Sequence, residues 1–370
     1  MSKDAIKRIV LGLAALVLLG VAIFFWREYL QKSPPVVGNV SDFKDTDIVL
    51  HPDVPLSRDK NMIWCGTIAL AWNEAIHALG GELHFTKPSR EAELLNRQEF
   101  TKIDLDEESY VAMADTENHH LSDRIRAELK KKFGDAVPAR LLPDDSEQDP
   151  AKFDAYACLY KNLEFPTPFH ENAPLWFSFR RVADFGFGLE SMAYLQYSNT
   201  HDVVGREVSV LSYVSDDNFV IRLRTKNDQD QLILAKIAPG KTLQATIDSV
   251  LPALNSKSYW GVGDHDELAV PKVDFDLMAD FKEFEGQELI SGATRVNKVA
   301  ENILFQLNET GLKLTAFARM GLMTGMSDQL PPPPRHFIFN KPFLVLLKRE
   351  SSPRPYFALW VGNPTLLVSP

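Results

Sequence analysis

The stretch "RHFIFNKPFLVLLKRESSPRPYFALWVGNP", Arg335 to Pro364, holds two dense apolar runs, Phe337–Leu347 and Tyr356–Val361. Between them Lys348-Arg-Glu-Ser-Ser-Pro-Arg-Pro355 is polar and proline-rich. Two such runs about a turn predict a β-hairpin, and their dense apolar character predicts that it is well buried. A block of four prolines, Pro331–Pro334, stands just before the hairpin.

The rest of the chain must supply the layers that bury this hairpin. With 370 residues, 45% apolar and 24% charged, it can build a sizeable core. The net charge of −10 argues against a nucleic-acid partner, because phosphate binding calls for a basic surface. Two cysteines, Cys65 and Cys158, cannot form a disulfide framework. Two buried thiols is the simpler expectation; one bridge is the alternative for a chain that leaves the cytosol.

Such an export is suggested by the N-terminus. Ile9–Trp26 is a run of apolar residues, Gly and Ala. As a helix it spans about 27 Å, close to the thickness of a bilayer core. Lys3, Lys7 and Arg8 precede it, while Arg27 and Lys32 follow, offset by Glu28. This bias predicts a single-pass transmembrane helix with the C-terminal domain outside the cytosol. A cleavable signal peptide, cut near Gly20-Val-Ala22, is the rival and would make the protein secreted. The expected organisation is an N-terminal membrane anchor or uncleaved signal over residues 1–30, a proline-bearing linker over 31–60, and one domain over 61–370.

Within that domain, Trp64, Ile68, Trp72 and Ile76 recur every four residues and predict a buried helix over Met62–Leu79, ended by Gly80-Gly81. Leu121–Phe133 predicts a second, charged helix ended by Gly134, with Lys130–Lys132 complementing its dipole. Ala155–Leu163, Val208–Val214, Phe219–Leu223, Leu232–Ile237, Leu268–Phe275 and Ala293–Leu307 read as strands, and Leu243–Leu254 as a short helix. Helices concentrate early and strands late, which predicts an α+β fold with large, mostly antiparallel sheets.

No Walker A loop, G-x-S-x-G elbow, H-E-x-x-H or C-x-x-C pair occurs. His119-His120 and Gly263-Asp-His-Asp-Glu267 read as solvated segments rather than metal sites. Nothing nominates a nucleophile with its base, so the expectation is a non-enzyme with no cofactor and no metal.

The terminal stretch resembles the carboxyl end of serpins, which finish with an F-N-x-P-F strand, a polar turn and a strand leading to G-x-V-x-x-P. Phe339-Asn-Lys-Pro-Phe343 matches, whereas Trp360-Val-Gly-Asn-Pro364 places the glycine after the valine. Upstream, Ala155–Phe169 resembles the strand reading N-x-x-x-F-K-G-x-W-x-x-P-F, without its asparagine and tryptophan. Val270-Pro-Lys-Val-Asp-Phe275 resembles the L-P-K-F strand, and Lys298–Gly311 resembles the strand before the reactive loop. The resemblance implies a pared-down, serpin-like fold with a reactive-centre-type loop over about residues 311–334.

In serpins a protease cuts this loop, which then inserts as an extra strand into the main sheet. The resemblance makes Glu309, Thr310, Gly311, Leu312, Leu314, Ala316 and Ala318 the hinge-like residues. Strand alternation puts Leu312, Leu314, Ala316 and Ala318 on one apolar face. The leucines are bulkier than the small residues the family uses there, and overfilling a packed layer costs about 1–3 kcal/mol. Counting from the hinge puts the scissile position near Gly325, with Arg319, Leu322, Met323 and Met326 as further candidates in the loop. The expectation is therefore a membrane-tethered, serpin-like protein-binding module, non-inhibitory or weakly inhibitory, whose partner is a protein such as a protease. The alternative is a working suicide inhibitor of a serine or cysteine protease; an enzyme or small-ligand carrier on the same scaffold is a third reading.

Overall fold

The computed structural model describes residues 34–116, 119–142, 153–188, 204–254, 260–263, 265–290, 296, 298–313 and 334–370. Ile9–Trp26 and the loop residues Leu314–Pro333 lie outside these. No helix among the described residues is long and apolar enough to cross a membrane.

The terminal hairpin, β19 (Phe343–Arg349) and β20 (Pro355–Val361), occupies the interior of a seven-stranded sheet. The order is β11 (Val208–Ser215), β12 (Asn218–Leu223), β13 (Asp230–Lys236), β19, β20, β3 (Asn61–Cys65), β2 (Thr46–Ile48). Every residue of β20 is buried, as a run apolar on both faces requires. The main, five-stranded sheet runs β1 (Val36–Asn39), β15 (Val273–Asp280), β16 (Ala300–Asn308), β17 (Gly311–Lys313), β6 (Leu163–Glu164). A four-stranded sheet runs β18 (His336–Ile338), β14 (Glu267–Pro271), β10 (Asp184–Phe187), β7 (His170–Glu171). Two antiparallel pairs complete the strands: β4 (Tyr110–Thr116) with β5 (Phe153–Leu159), and β8 (Leu175–Phe177) with β9 (Arg180–Val182).

The α-helices among the described residues are α1 (Thr67–Leu79), α2 (Arg90–Asn96), α3 (Leu121–Phe133) and α4 (Leu243–Leu254). The α+β class and the mostly antiparallel sheets match the expectation. α1 buries Ile68, Leu70, Trp72, Ala75 and Ile76 and ends at Gly80, whose φ of 79° lets its N–H reach the Ile76 carbonyl. α3 lays Leu121, Ile125, Leu129 and Phe133 with Val111 in a small second core.

Several boundaries differ from those read in the sequence. Met62–Leu79 is not one helix: Asn61–Cys65 is a fully buried strand, and only the remainder is helical. A short buried strand is apolar throughout and its periodicity cannot be told from a buried helix. The linker expected over 31–60 is folded from Val36 on, where β1 pairs with β15 and β2 with β3. Short edge strands carry polar residues and read as loop. Leu268–Phe275 is two strands in two sheets, broken at Lys272, and Phe337–Leu347 is likewise split at Asn340-Lys341-Pro342. α2, capped by the Ser89 side chain accepting from the Ala92 amide, escaped notice because it is short and acidic.

Asn61, fully buried, closes the chain end onto its beginning. Its Oδ1 accepts from the amides of Gly362 (3.0 Å) and Asn363 (3.1 Å). Its Nδ2 donates to Thr46 Oγ1 (3.2 Å) and Asn363 Oδ1 (3.0 Å). Gly362 passes so close that a Cβ there would lie 2.3 Å from the Lys60 carbonyl, which explains a glycine after Val361. Asn61→Ala leaves buried amides unpaired and should lower stability by roughly 2–4 kcal/mol, read by urea unfolding.

Candidate functional site

The main sheet is split. On one side β16 pairs with β15 along its whole length, Ala300 to Leu307. On its other side only Gln306, Leu307 and Asn308 find partners, in Lys313, Leu312 and Gly311 of β17. β17 in turn joins β6 through Gly311↔Glu164 and Leu312↔Leu163. Beyond this short bridge, the Ala300–Phe305 edge has no strand partner among the described residues, and β5 pairs only with β4. A cleft of about 1030 Å³ separates the edges; residues of β5 and β16 form its sides, with Ile68, Ala71, Trp72 and Ala75 of α1 also lining it. β17 is antiparallel to β16, so the chain direction from Gly311 to Lys313 points from the Asn308 end toward the Ala300 end, along the cleft.

The bridge is built by the expected hinge residues. Asn308 Oδ1 accepts from the Thr310 amide (2.9 Å) and hydroxyl (2.7 Å), which folds the chain into a tight turn. The carbonyls of Glu309 and Thr310 accept from the amides of Phe169 (2.8 Å) and Phe165 (3.0 Å). The Glu309 carboxylate pairs with Lys272 Nζ at 2.7 Å. Beneath, Phe165 packs edge-on to Phe169, with ring centroids 4.8 Å apart. Gly311 is required here: its φ is +138°, and a Cβ would lie 2.6 Å from the Leu163 carbonyl. Leu312 is fully buried between Leu163 and Leu307. Its bulk is therefore accommodated within the sheet at this first position.

Where the chain resumes after the loop, it is again clamped. Arg335 donates through Nε (3.0 Å) and Nη2 (2.6 Å) to Asp266 Oδ2, and its amide donates to Asp266 Oδ1 (2.8 Å). The acidic segment Gly263–Glu267 therefore holds the loop's far end through Asp266, while Glu267 meets His336 Nδ1 at 2.8 Å. No cluster of His, Cys, Asp and Glu suited to a metal occurs among the described residues. His119 instead bonds Asp115 (2.6 Å), which also meets Arg124 (2.8 Å); the His119 bond is the main reason the Asp115 carboxyl is held down at about 2. Leu314, Ala316, Ala318, Arg319, Leu322, Met323, Gly325 and Met326 lie outside the described residues.

The residue that sequence reading missed is Glu301. It lies on the inward face of β16, in phase with Ile303, Phe305 and Leu307, and borders the cleft. That phase was the available signal: a carboxyl standing at a core position of an alternating strand. Thr67, the first residue of α1, donates its hydroxyl to Glu301 Oε1. Burial pushes the Glu301 carboxyl up to about 8, against the lowering effect of Thr67 and the Ile68 amide. Cys65 and Cys158 also line the cleft and are free thiols. Burial raises them to about 12 and about 11, so they are poor nucleophiles.

No family model matches this chain, and no curated protein matches it. Among solved structures it is similar to human thyroxine-binding globulin complexed with thyroxine, at a TM-score of 0.47 and 11% identity, covering 83% of this chain and 93% of that one. It is also similar to Serpin48 of the insect Tenebrio molitor, at a TM-score of 0.41 and 14% identity, covering 82% and 92%. Both likenesses are distant, and the functional reading rests on the cleft and its clamps.

Two outcomes check this geometry. Gly311→Ala cannot hold the seated turn and should release β17 at a cost of about 1–3 kcal/mol, read as faster hydrogen exchange at Leu312 and Leu163. Glu301 is raised in the folded state, so its protonation favours folding; that contribution is complete below its unfolded value near 4.5 and is lost as pH rises through about 8. Glu301→Gln should flatten the loss of melting temperature between pH 5 and 9, a difference of several kcal/mol at the alkaline end.

Proposed function

We propose that this is a serpin-like protein whose loop, about residues 311–334, can insert into its own main sheet after cleavage, in the manner of a protease-trapping inhibitor. The observation that carries the proposal is the alignment of the seated β17 with the cleft between β5 and β16. Continuing the Gln306↔Lys313 register would set Leu314 opposite Phe305, Ala316 opposite Ile303 and Ala318 opposite Glu301. The apolar face of the loop would then close over α1. Each backbone hydrogen bond made by insertion is worth about 0.5–1.5 kcal/mol net, and burying Leu314 adds about 1.5–3 kcal/mol.

A second reading also has an observation in its favour. The turn at Glu309–Gly311 is already stitched to Phe165, Phe169 and Lys272. A loop held this firmly suits a module that displays it to a protein partner without inserting, as the bulk at Leu314 first suggested. In either reading Ile9–Trp26 tethers the protein to a membrane with the domain outside the cytosol, and the candidate cut sites Arg319, Leu322, Met323, Gly325 and Met326 stand in the displayed loop.

Limited proteolysis within 319–330 separates the two. Insertion should raise the melting temperature by at least several degrees and give a stable covalent complex with a matching protease. An unchanged melting temperature after complete cleavage excludes insertion and leaves the display module.

A further inference from the structure

The hairpin of β8 and β9 lies against the body of the fold, its turn held by the Ser178 amide donating to the Asn340 carbonyl (3.1 Å), and turns one face outward. Phe177 pairs with Arg180 across the turn Ser178-Phe179, and Ser178 adopts a φ of 53°, which a serine rarely takes. The result is a tip on which Phe179 is 80% exposed and Trp176 is 62% exposed, with Trp176 paired to Arg181. Phe177, on the other face, is fully buried and packs edge-on to Phe343, so the tip has a rigid base. Arg180 donates to Ser369 Oγ (2.8 Å) and Arg181 to the Pro174 carbonyl (3.5 Å). Neither meets a carboxylate among the described residues, in a chain of net charge −10.

The place of this tip in the fold says what it meets. Ala183, just after β9, donates to the Val368 carbonyl (2.9 Å) and accepts from the Lys272 amide (2.8 Å). Lys272 immediately precedes β15, and β1 begins with Val36 paired to Phe275 near that same end. The chain thus joins the fold, at Pro34 and Pro35, on the side that carries the hairpin. Only residues 27–35 lie between Trp26 and β1, a reach of at most about 30 Å. A bilayer holding Ile9–Trp26 therefore lies close to this end.

We propose that Trp176 and Phe179, flanked by Arg180 and Arg181, form a foot that rests in the surface of an anionic phospholipid bilayer. This rests on the membrane tether of the preceding reading. Aromatic rings suit the interfacial layer, and guanidinium groups suit anionic headgroups. The Lys272–Glu309 pair puts the loop's hinge at the same end, so the foot also brings the loop to the membrane surface.

The test uses the full chain in vesicles of phosphatidylcholine and phosphatidylserine containing lipid with a nitroxide near the headgroup. Phe179→Cys and, separately, Ile103→Cys carry an environment-sensitive fluorophore, with the unsubstituted chain as the labelling blank. Ile103 is also 80% exposed but lies beside the β19–β20 turn, where Arg349 bonds the Leu105 carbonyl, at the opposite end of β19 from Phe343. The expected result is sedimentation with vesicles, a blue shift and loss of most fluorescence at position 179, and neither change at 103. Replacing Arg180 and Arg181 with Gln should weaken the quenching at 179. Sedimentation with no quenching at 179, or equal quenching at both positions, overturns the foot while leaving the tether. A chain that stays in the supernatant overturns the tether and the foot with it.

Discussion

Two strand edges that face each other without pairing, among the described residues, govern this molecule. Unpaired backbone amides and carbonyls are costly to bury and prone to recruit another strand. The edge of β16 from Ala300 to Phe305 and the free edge of β5 stand apart across the cleft, and the sheet closes only where Leu312 wedges between Leu307 and Leu163. In the function proposed above these edges would receive a strand, which β17 would lead into the gap.

The described residues that flank the loop on either side are held by hydrogen bonds and ion pairs. The hinge is fixed by the Asn308 turn, the Phe165 and Phe169 amides and Lys272. The resumption is fixed by Asp266 on Arg335. Both clamps stand on the four-stranded sheet or beside it: Asp266 precedes β14 and Lys272 follows it. One strand therefore sets the spacing between the ends of the loop, while the cleft runs away from it beneath β16. Glu301 puts a buried carboxyl in the cleft wall beside Ile303 and Phe305, so that wall is sensitive to whether the carboxyl carries its proton.

Much of this was legible locally. The hairpin of β19 and β20 follows from unbroken apolar runs about a polar turn, and α3 and α4 follow from their periodicity and, for α3, the glycine that ends it. The hinge-like segment Glu309–Gly311 was placed by the resemblance of Lys298–Gly311 to the serpin strand before the reactive loop, not by periodicity. What failed locally has a common cause. Asn61–Cys65 is as apolar as the helix after it, and only its neighbours β2 and β20 make it a strand. That Leu312 already lies buried beside Leu163 and Leu307 could likewise not be read from Leu312 itself.

The sequence by itself determined the α+β class, most of the strands along the chain and the buried terminal hairpin. These depend on periodicity and turn chemistry, which are properties of neighbours along the chain. Only the tertiary structure decided that the main sheet is split, that Gly311 and Leu312 are already within it, and that Asp266 and Lys272 hold the two ends of the loop. Pairing between strands more than a hundred residues apart, such as Leu163 with Leu312, leaves no periodic mark in either segment. Such pairing is set by the shape of the assembled core, where the room for each side chain is made by residues remote in sequence.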